Sequence, residues 1–349
     1  MNIIAGKKGP ADSANSPHQA GTKPFASARG TGKRATIYDL ARLVKVSPGT
    51  VSRVLNNRDR VKLETRKAVL RAAAVLNLKP QASVRSREMV ILSEPTYPDR
   101  FGGYSATLTA HLAYAFSRRD IGVLLPLNPL EELPTKFFDG IVVVTQDKAL
   151  RELVAGLEKR MPVVHIDKFP VDPAEYIVCS DHYNAGYMAA RHFIDRGKRK
   201  LAFLGPNYSP FAERLRGFRK ALAEAELPID EQCVALFGPE SNHVSAVARV
   251  VRAGADSIYA PGSSFEALEC LHILSYVMGL KVPHDISLIG GENERISSLL
   301  NPPLTTIEEP LRDMAEQAVT MLDRLTLGEE IAERNVMLPM RLIDRNSVQ

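Results

Sequence analysis

Between residues 35 and 78 the apolar positions fall at the spacing of short helices. Ile37, Leu40, Ala41 and Val44 share one face, with Thr36 placed to cap it. Ser47 opens a second helix with Pro48 at its first position, where a missing N–H leaves nothing unsatisfied. Only Val44, Lys45 and Val46 separate the two, so the helices must cross steeply, as in a helix-turn-helix. Val69, Ala72, Ala73 and Leu76 then mark the inner face of a third helix that starts near Glu64 and stops before Pro80.

From Met89 the pattern changes to short, nearly continuous apolar runs: MVIL, GVLLPL, GIVVVT, PVVHID, YIVCSD, LAFLGP, CVALFG, SIYAPG and SLIGG. Such runs are strands buried on both faces. Helical stretches separate most of them, among them ERLRGFRKALAEAEL, in which Leu215, Phe218 and Leu222 share a face. This alternation predicts an α/β core of parallel sheets with helices on both sides, long enough for two lobes. NVMLPMRL reads as one last strand. Ligands of such folds sit at the carboxyl ends of strands, so the cleft between lobes is the expected site.

At 349 residues the chain is long enough for two or three folding units, and 45% hydrophobic and 24% charged residues suit a globular protein. No apolar run approaches the ~20 residues that span a bilayer. The first 30 residues lack the apolar segment of a signal peptide, so a cytoplasmic protein without membrane contact is expected. Cys179, Cys233 and Cys270 lie far apart, which excludes a disulfide scaffold and a thiolate zinc site. The net charge of +5 conceals an asymmetry: residues 1–88 hold 18 Lys and Arg against 5 Asp and Glu, the remainder 27 against 35. A polycationic end on an acidic body points to an anionic partner, nucleic acid first. Residues 1–34, rich in Gly, Ala, Ser, Pro and Lys, read as a disordered basic tail.

The stretch ATIYDLARLVKVSPGTVSRVLNN, residues 35–57, resembles the DNA-binding headpiece of the lactose-repressor (LacI/GalR) family of transcription regulators. RLRGFRKALAEAELPID, VPHDISLIG and NPPLTTIEEP follow in the family's order, so the resemblance spans nearly the whole chain beyond the tail. It implies a helix-turn-helix headpiece at 35–80, a hinge at 81–88, and a two-lobed periplasmic-binding-protein-like core at 89–349. A recognition helix in the major groove turns its first turn to base edges and its flanking hydroxyls to phosphates. Thr36, Tyr38, Ser47, Thr50, Ser52 and Asn56 are the candidate phosphate contacts. Arg53 can reach guanine O6 and N7, and the alternative for it is a solvated helix surface. Arg60 precedes the third helix, as a DNA contact or as a solvated charge. Pro48 and Gly49 stand where the family chooses bases and carry no hydrogen-bonding side chain, so that flank of the half-site should be weakly defined. In the hinge, PQASVRSRE, Arg87 occupies the position of the family's minor-groove leucine. Arg85 and Arg87 then either enter a narrow A·T-rich groove or contact phosphates.

By the same resemblance Arg214 matches the family's ligand-binding arginine and Phe237 an aromatic that packs on ligand. Glu292 stands for an aspartate that accepts from ligand hydroxyls, Asp167 ends the PVVHID strand, and Ser263 and Ser264 replace a usual Asn-Asp. A sugar or sugar derivative is the implied effector. No GxSxG, HExxH, P-loop or full dinucleotide fingerprint occurs, and the histidines show no i,i+4 pairing, so no enzyme, cofactor or metal is expected. The expected function is a sequence-specific regulator of transcription, a repressor of carbohydrate-related genes, acting as a homodimer on a pseudo-palindromic operator of double-stranded DNA. The rival readings are a periplasmic-type sugar receptor, against which residues 35–57 speak, and a regulator whose effector site is degenerate.

Overall fold

Thr36 opens the first helix, α1 (Ile37–Leu43), with a capping box: its hydroxyl accepts from the Asp39 amide while the Asp39 carboxylate accepts from the Thr36 amide at 2.9 Å. The helix closes where Lys45 takes a left-handed φ of 54° and the Val46 amide reaches the Ala41 carbonyl at 3.1 Å. Ser47 caps α2 (Pro48–Leu55), its hydroxyl accepting from the Thr50 amide at 3.1 Å. With α3 (Leu63–Val75) these helices enclose one core of Leu40, Ala41, Val51, Val54, Leu55, Val69 and Ala73. Ile37, which the helical spacing assigned to this face, is instead exposed. A lysine in the left-handed region is strained where glycine is not, so Lys45→Gly should stabilise the headpiece by about 0.5–1 kcal/mol. A thermal unfolding midpoint that falls would show that Lys45 contacts outweigh the strain.

The computed structural model describes residues 36–55, 61–76, 87–93, 103–133, 136, 138–145, 147–238, 242–262, 266–293 and 296–349. The chain divides into two units, one ending at Arg85 and the other beginning at Ser86. The predicted tail at 1–34 and residues 81–86 of the predicted hinge lie outside the described residues.

In the second unit, β1 (Glu88–Leu92) turns Met89 and Ile91 into one core and Val90 and Leu92 into another, as a strand buried on both faces must. There follow α4 (Gly103–Ser117), β2 (Gly122–Leu124), α5 (Pro129–Glu132), β3 (Gly140–Val143), α6 (Lys148–Leu157), β4 (Val163–Ile166) and β5 (Ile177–Ser180). The chain continues through α7 (His182–Asp195), β6 (Leu201–Pro206), α8 (Ser209–Glu224), β7 (Val234–Phe237), α9 (His243–Arg252), β8 (Ser257–Ala260) and α10 (Glu266–His272). It ends with β9 (Ser287–Gly291), α11 (Ile296–Leu299), β10 (Thr305–Glu308), α12 (Leu311–Thr326), β11 (Asn335–Leu338) and β12 (Arg341–Ile343).

The strands form two six-stranded sheets, ordered β11-β5-β4-β3-β1-β2 and β12-β10-β9-β8-β6-β7. Every described pairing is parallel except β10 with β12. The chain therefore passes between lobes after β5, after β10 and after β11. The nine apolar runs all become strands, giving the expected α/β core of two parallel-rich lobes. Two details differ from the sequence reading. NVMLPMRL is two strands, because the chain leaves the first sheet after Leu338 and joins the second at Arg341. Arg87, expected in the hinge, is already part of the core: its carbonyl accepts from the Gly122 amide at 2.8 Å and its guanidinium pairs with Asp323 of α12. Among the described residues no helix is long and apolar enough to cross a membrane.

Helices α7 and α8 meet backbone to backbone. A Cβ on Gly186 would stand 1.8 Å from the Arg214 carbonyl oxygen, and one on Gly217 would stand 1.8 Å from that of Tyr183. This contact fixes where α8 carries Arg214.

Candidate functional site

In the headpiece, burial of Val51, Val54 and Leu55 orients α2 and leaves Arg53 exposed in its last turn. Arg53 has no acidic partner among the described residues, so its guanidinium remains available. Tyr38 is 64% exposed on α1. Ser47 and Gly49 are also exposed, with Pro48, Thr50 and Ser52 half-buried. The Ser47 and Thr50 hydroxyls share a 2.9 Å hydrogen bond, which stiffens the first turn. Thr36 is occupied by capping, its hydroxyl donating to Asp39 at 2.6 Å. Those hydrogen bonds hold the Asp39 carboxyl below its ordinary range. Asn56, Arg60 and Arg85 lie outside the described residues.

In the core, buried polar side chains from both lobes converge on the segments that cross between them. Arg214, on α8, pairs with Glu309, which follows β10, and the two side chains are only 3% and 4% exposed. The guanidinium also lies over the Phe211 ring, 5.1 Å from its centroid. Burial opposes the charge on Arg214, but Glu309 outweighs it and holds the group protonated above its ordinary range. From the first lobe, Asp167 follows β4 in a left-handed conformation with φ of 49°. Its carboxylate accepts from the Tyr104 hydroxyl of α4 and from the Ser180 amide at 2.9 Å. His182 Nε2, at the start of α7, lies 3.0 Å from Asp167 Oδ1. Burial works against the Asp167 charge, yet His182, Tyr104 and Ser180 together keep its carboxyl below the usual range. Burial, then Asp167 and Glu309, push the Tyr104 phenol well above its ordinary value, which ties the two groups into one electrostatic cluster.

Several of these atoms are buried without a hydrogen-bond partner: Arg214 Nε, Glu309 Oε2, His182 Nδ1 and Glu266 Oε2. Each such atom costs about 1–3 kcal/mol. Burial raises the Glu266 carboxyl above its ordinary range. Gly262 connects it to the cluster, since a Cβ there would meet both Glu266 Oε2 and Phe211 at 3.3 Å.

The structure thus brings Asp167 and Arg214 together. Phe237 has its ring tilted on His243 at 4.5 Å, beside a cavity of about 10 Å³ shared with Glu266. Glu292 departs from the expected role. Its carboxylate accepts from the Thr306 hydroxyl and from Arg345 Nη1 at 2.8 Å, so an internal cation meets the charge expected to face ligand hydroxyls. Ser263 and Ser264 lie outside the described residues. Tyr104, His182, Glu266 and Glu309 escaped the sequence reading. Glu309 stands inside the NPPLTTIEEP segment and had a positional signal; the others have none in their local pattern. Cys179 and Cys270 are buried with thiols pushed up to about 12 by burial, which leaves them inert.

Residues 36–81 match the family described as bacterial regulatory proteins, lacI family. Residues 124–253 match the periplasmic binding proteins and sugar binding domain of the LacI family, and residues 190–348 match a periplasmic binding protein-like domain. Among curated proteins the chain is 29% identical to the HTH-type transcriptional regulator DegA of Bacillus subtilis, over 90% of this chain and 98% of that protein. It is 30% identical to the HTH-type transcriptional repressor PurR of Vibrio parahaemolyticus, over 90% of this chain and 99% of the repressor. Among solved structures, the complex of the transcriptional regulator CelR with cellobiose superposes with a TM-score of 0.66 at 25% identity, covering 90% of this chain and 100% of CelR. Relatives spanned almost end to end, together with a headpiece and a two-lobed core that each match in their own right, establish that the chain belongs to the lacI family of bacterial regulatory proteins.

Proposed function

We propose that the protein is a cytoplasmic repressor of carbohydrate-related genes that binds a pseudo-palindromic operator as a homodimer and is controlled by a sugar-like effector in the core cleft. The observation that carries the regulatory reading is α2, capped by Ser47 and anchored by Val51 and Val54, with Arg53 left exposed to reach a guanine edge. Exposed Tyr38 and Ser47 supply phosphate contacts beside it. The effector half of the reading is supported by the unpartnered polar atoms Arg214 Nε, Glu309 Oε2 and His182 Nδ1. A ligand offering a hydroxyl to Glu309 Oε2 and an oxygen to Arg214 Nε would satisfy both, as neighbouring sugar hydroxyls do. That the CelR relative is solved with cellobiose agrees with such chemistry. Within the cluster, His182 and Glu309 lie on segments that cross between lobes, so ligand binding changes lobe closure. Coupling of about 1–3 kcal/mol, or 5–150-fold in DNA affinity, is expected.

The test is a mobility-shift assay of the full chain on genomic fragments across a salt series. Binding should weaken steeply with salt. Arg53→Ala should weaken the specific site by about 1–3 kcal/mol, roughly 5–150-fold, with little change on random DNA. No specific fragment at low salt would sink the regulatory reading, and an unchanged Arg53→Ala would remove Arg53 from base readout.

A further inference from the structure

The first lobe also gathers three metal-ligating side chains that the spacing of histidines in the sequence did not announce. His165 lies in β4 with its side chain 6% exposed, and its Nε2 stands 2.5 Å from Glu158 Oε1. Glu175, in the turn before β5, brings a second carboxylate, and one ligand atom from each of the three lies within 4.8 Å of the other two. Nitrogen and oxygen donors ~2.0–2.2 Å from one zinc ion stand about 3–4 Å apart, so small rotations of the two glutamates close the set.

The backbone under all three is fixed. The His165 amide donates to the Tyr176 carbonyl at 2.8 Å, and the Glu158 amide to Val154 at 2.9 Å. The Glu175 amide donates to Asp172 at 3.1 Å, and its carbonyl accepts from the Asn335 side chain at 2.8 Å. The charge balance is the second observation. Lys168 reaches Glu175 at 2.5 Å and is the one cation paired with either carboxylate among the described residues. Two carboxylates around an imidazole thus keep an excess negative charge, with an ammonium against one of them.

We propose that Glu158, His165 and Glu175 form a binding site for a divalent transition-metal ion of the zinc class, with the Lys168 ammonium as the internal cation that the metal displaces. An imidazole with two carboxylates suits zinc, cobalt or manganese, and the nitrogen donor disfavours magnesium. The three protein ligands leave further positions for water.

Chelator-treated full-length protein is titrated calorimetrically with Zn²⁺ and with Mg²⁺, and Co²⁺ binding is followed by its visible absorption. Wild type should bind Zn²⁺ and Co²⁺ saturably and Mg²⁺ at least 100-fold more weakly. His165→Gln and the Glu158→Gln, Glu175→Gln double variant should each bind one equivalent less. Lys168→Gln should bind at least 10-fold more tightly. Circular dichroism checks the fold, and if His165→Gln does not fold, the glutamine double variant decides. Absence of saturable Zn²⁺ binding by wild type overturns the site, as does an unchanged stoichiometry in the folded variants. Unchanged or weaker affinity in Lys168→Gln overturns the displacement by metal.

Discussion

Glu309→Ala should destabilise the core by about 3–5 kcal/mol, because it leaves the Arg214 guanidinium buried without its counter-charge. Among the described residues no other carboxylate forms an ion pair with Arg214, and the Phe211 ring offers only a cation–π contact. The loss is read from urea unfolding of the full chain, as a fall in midpoint at unchanged slope. A fall worth under about 1 kcal/mol would mean that water reaches the pair. An Arg214→Met, Glu309→Leu double variant separates stability from function. Apolar replacement of both partners removes the desolvation penalty and should restore stability to near wild type. The same variant should no longer gain thermal stability from a sugar that stabilises wild type, since the groups proposed to hold it are gone. A ligand response that survives the double variant would move the effector away from this pair.

Gly186→Ala reverses the usual sign of a glycine-to-alanine change within a helix. On a free helix the substitution stabilises by roughly 0.5–1 kcal/mol, because glycine loses more backbone freedom on folding. Here the added Cβ would stand 1.8 Å from the Arg214 carbonyl oxygen and 2.6 Å from its carbonyl carbon. Both are backbone atoms, so no side-chain rotation relieves the contact, and α7 and α8 must move apart. We expect a loss of about 3 kcal/mol or more, at the upper end of overpacking effects. Arg214 rides on the displaced helix, so ligand response should fall as well. Denaturant unfolding of the variant beside wild type measures the first effect, and equal stability would contradict so close a helix contact.

Much of this architecture is legible before any coordinates. The caps Thr36 and Ser47, the apolar spacing around Leu40, Val51 and Val69, and the nine strand runs are local patterns, and the structure keeps them, although the edge strands β2 and β7 are only partly buried. Local patterns mislead where two outcomes share one pattern. Ile37 has helical spacing yet faces outward. NVMLPMRL has the composition of one strand yet serves two sheets. At the cleft, positions carried over from the family picked out Arg214 and Asp167, both of which the structure buries, but could not say what they touch. Glu292 shows the limit: the same carboxylate serves a ligand or an internal cation depending on Arg345, which is 53 residues away.

By itself the sequence determined the headpiece, the alternating core, the basic end and the family, because helical period, capping residues and strand burial are properties of near neighbours. The tertiary structure alone decided the rest. It paired Arg214 with Glu309 across 95 residues, tied Arg87 to Asp323 at the foot of the core, and gathered Glu158, His165 and Glu175 in the first lobe. Such contacts depend on how lobes and crossing segments pack, and a buried charge takes whichever partner that packing brings within reach.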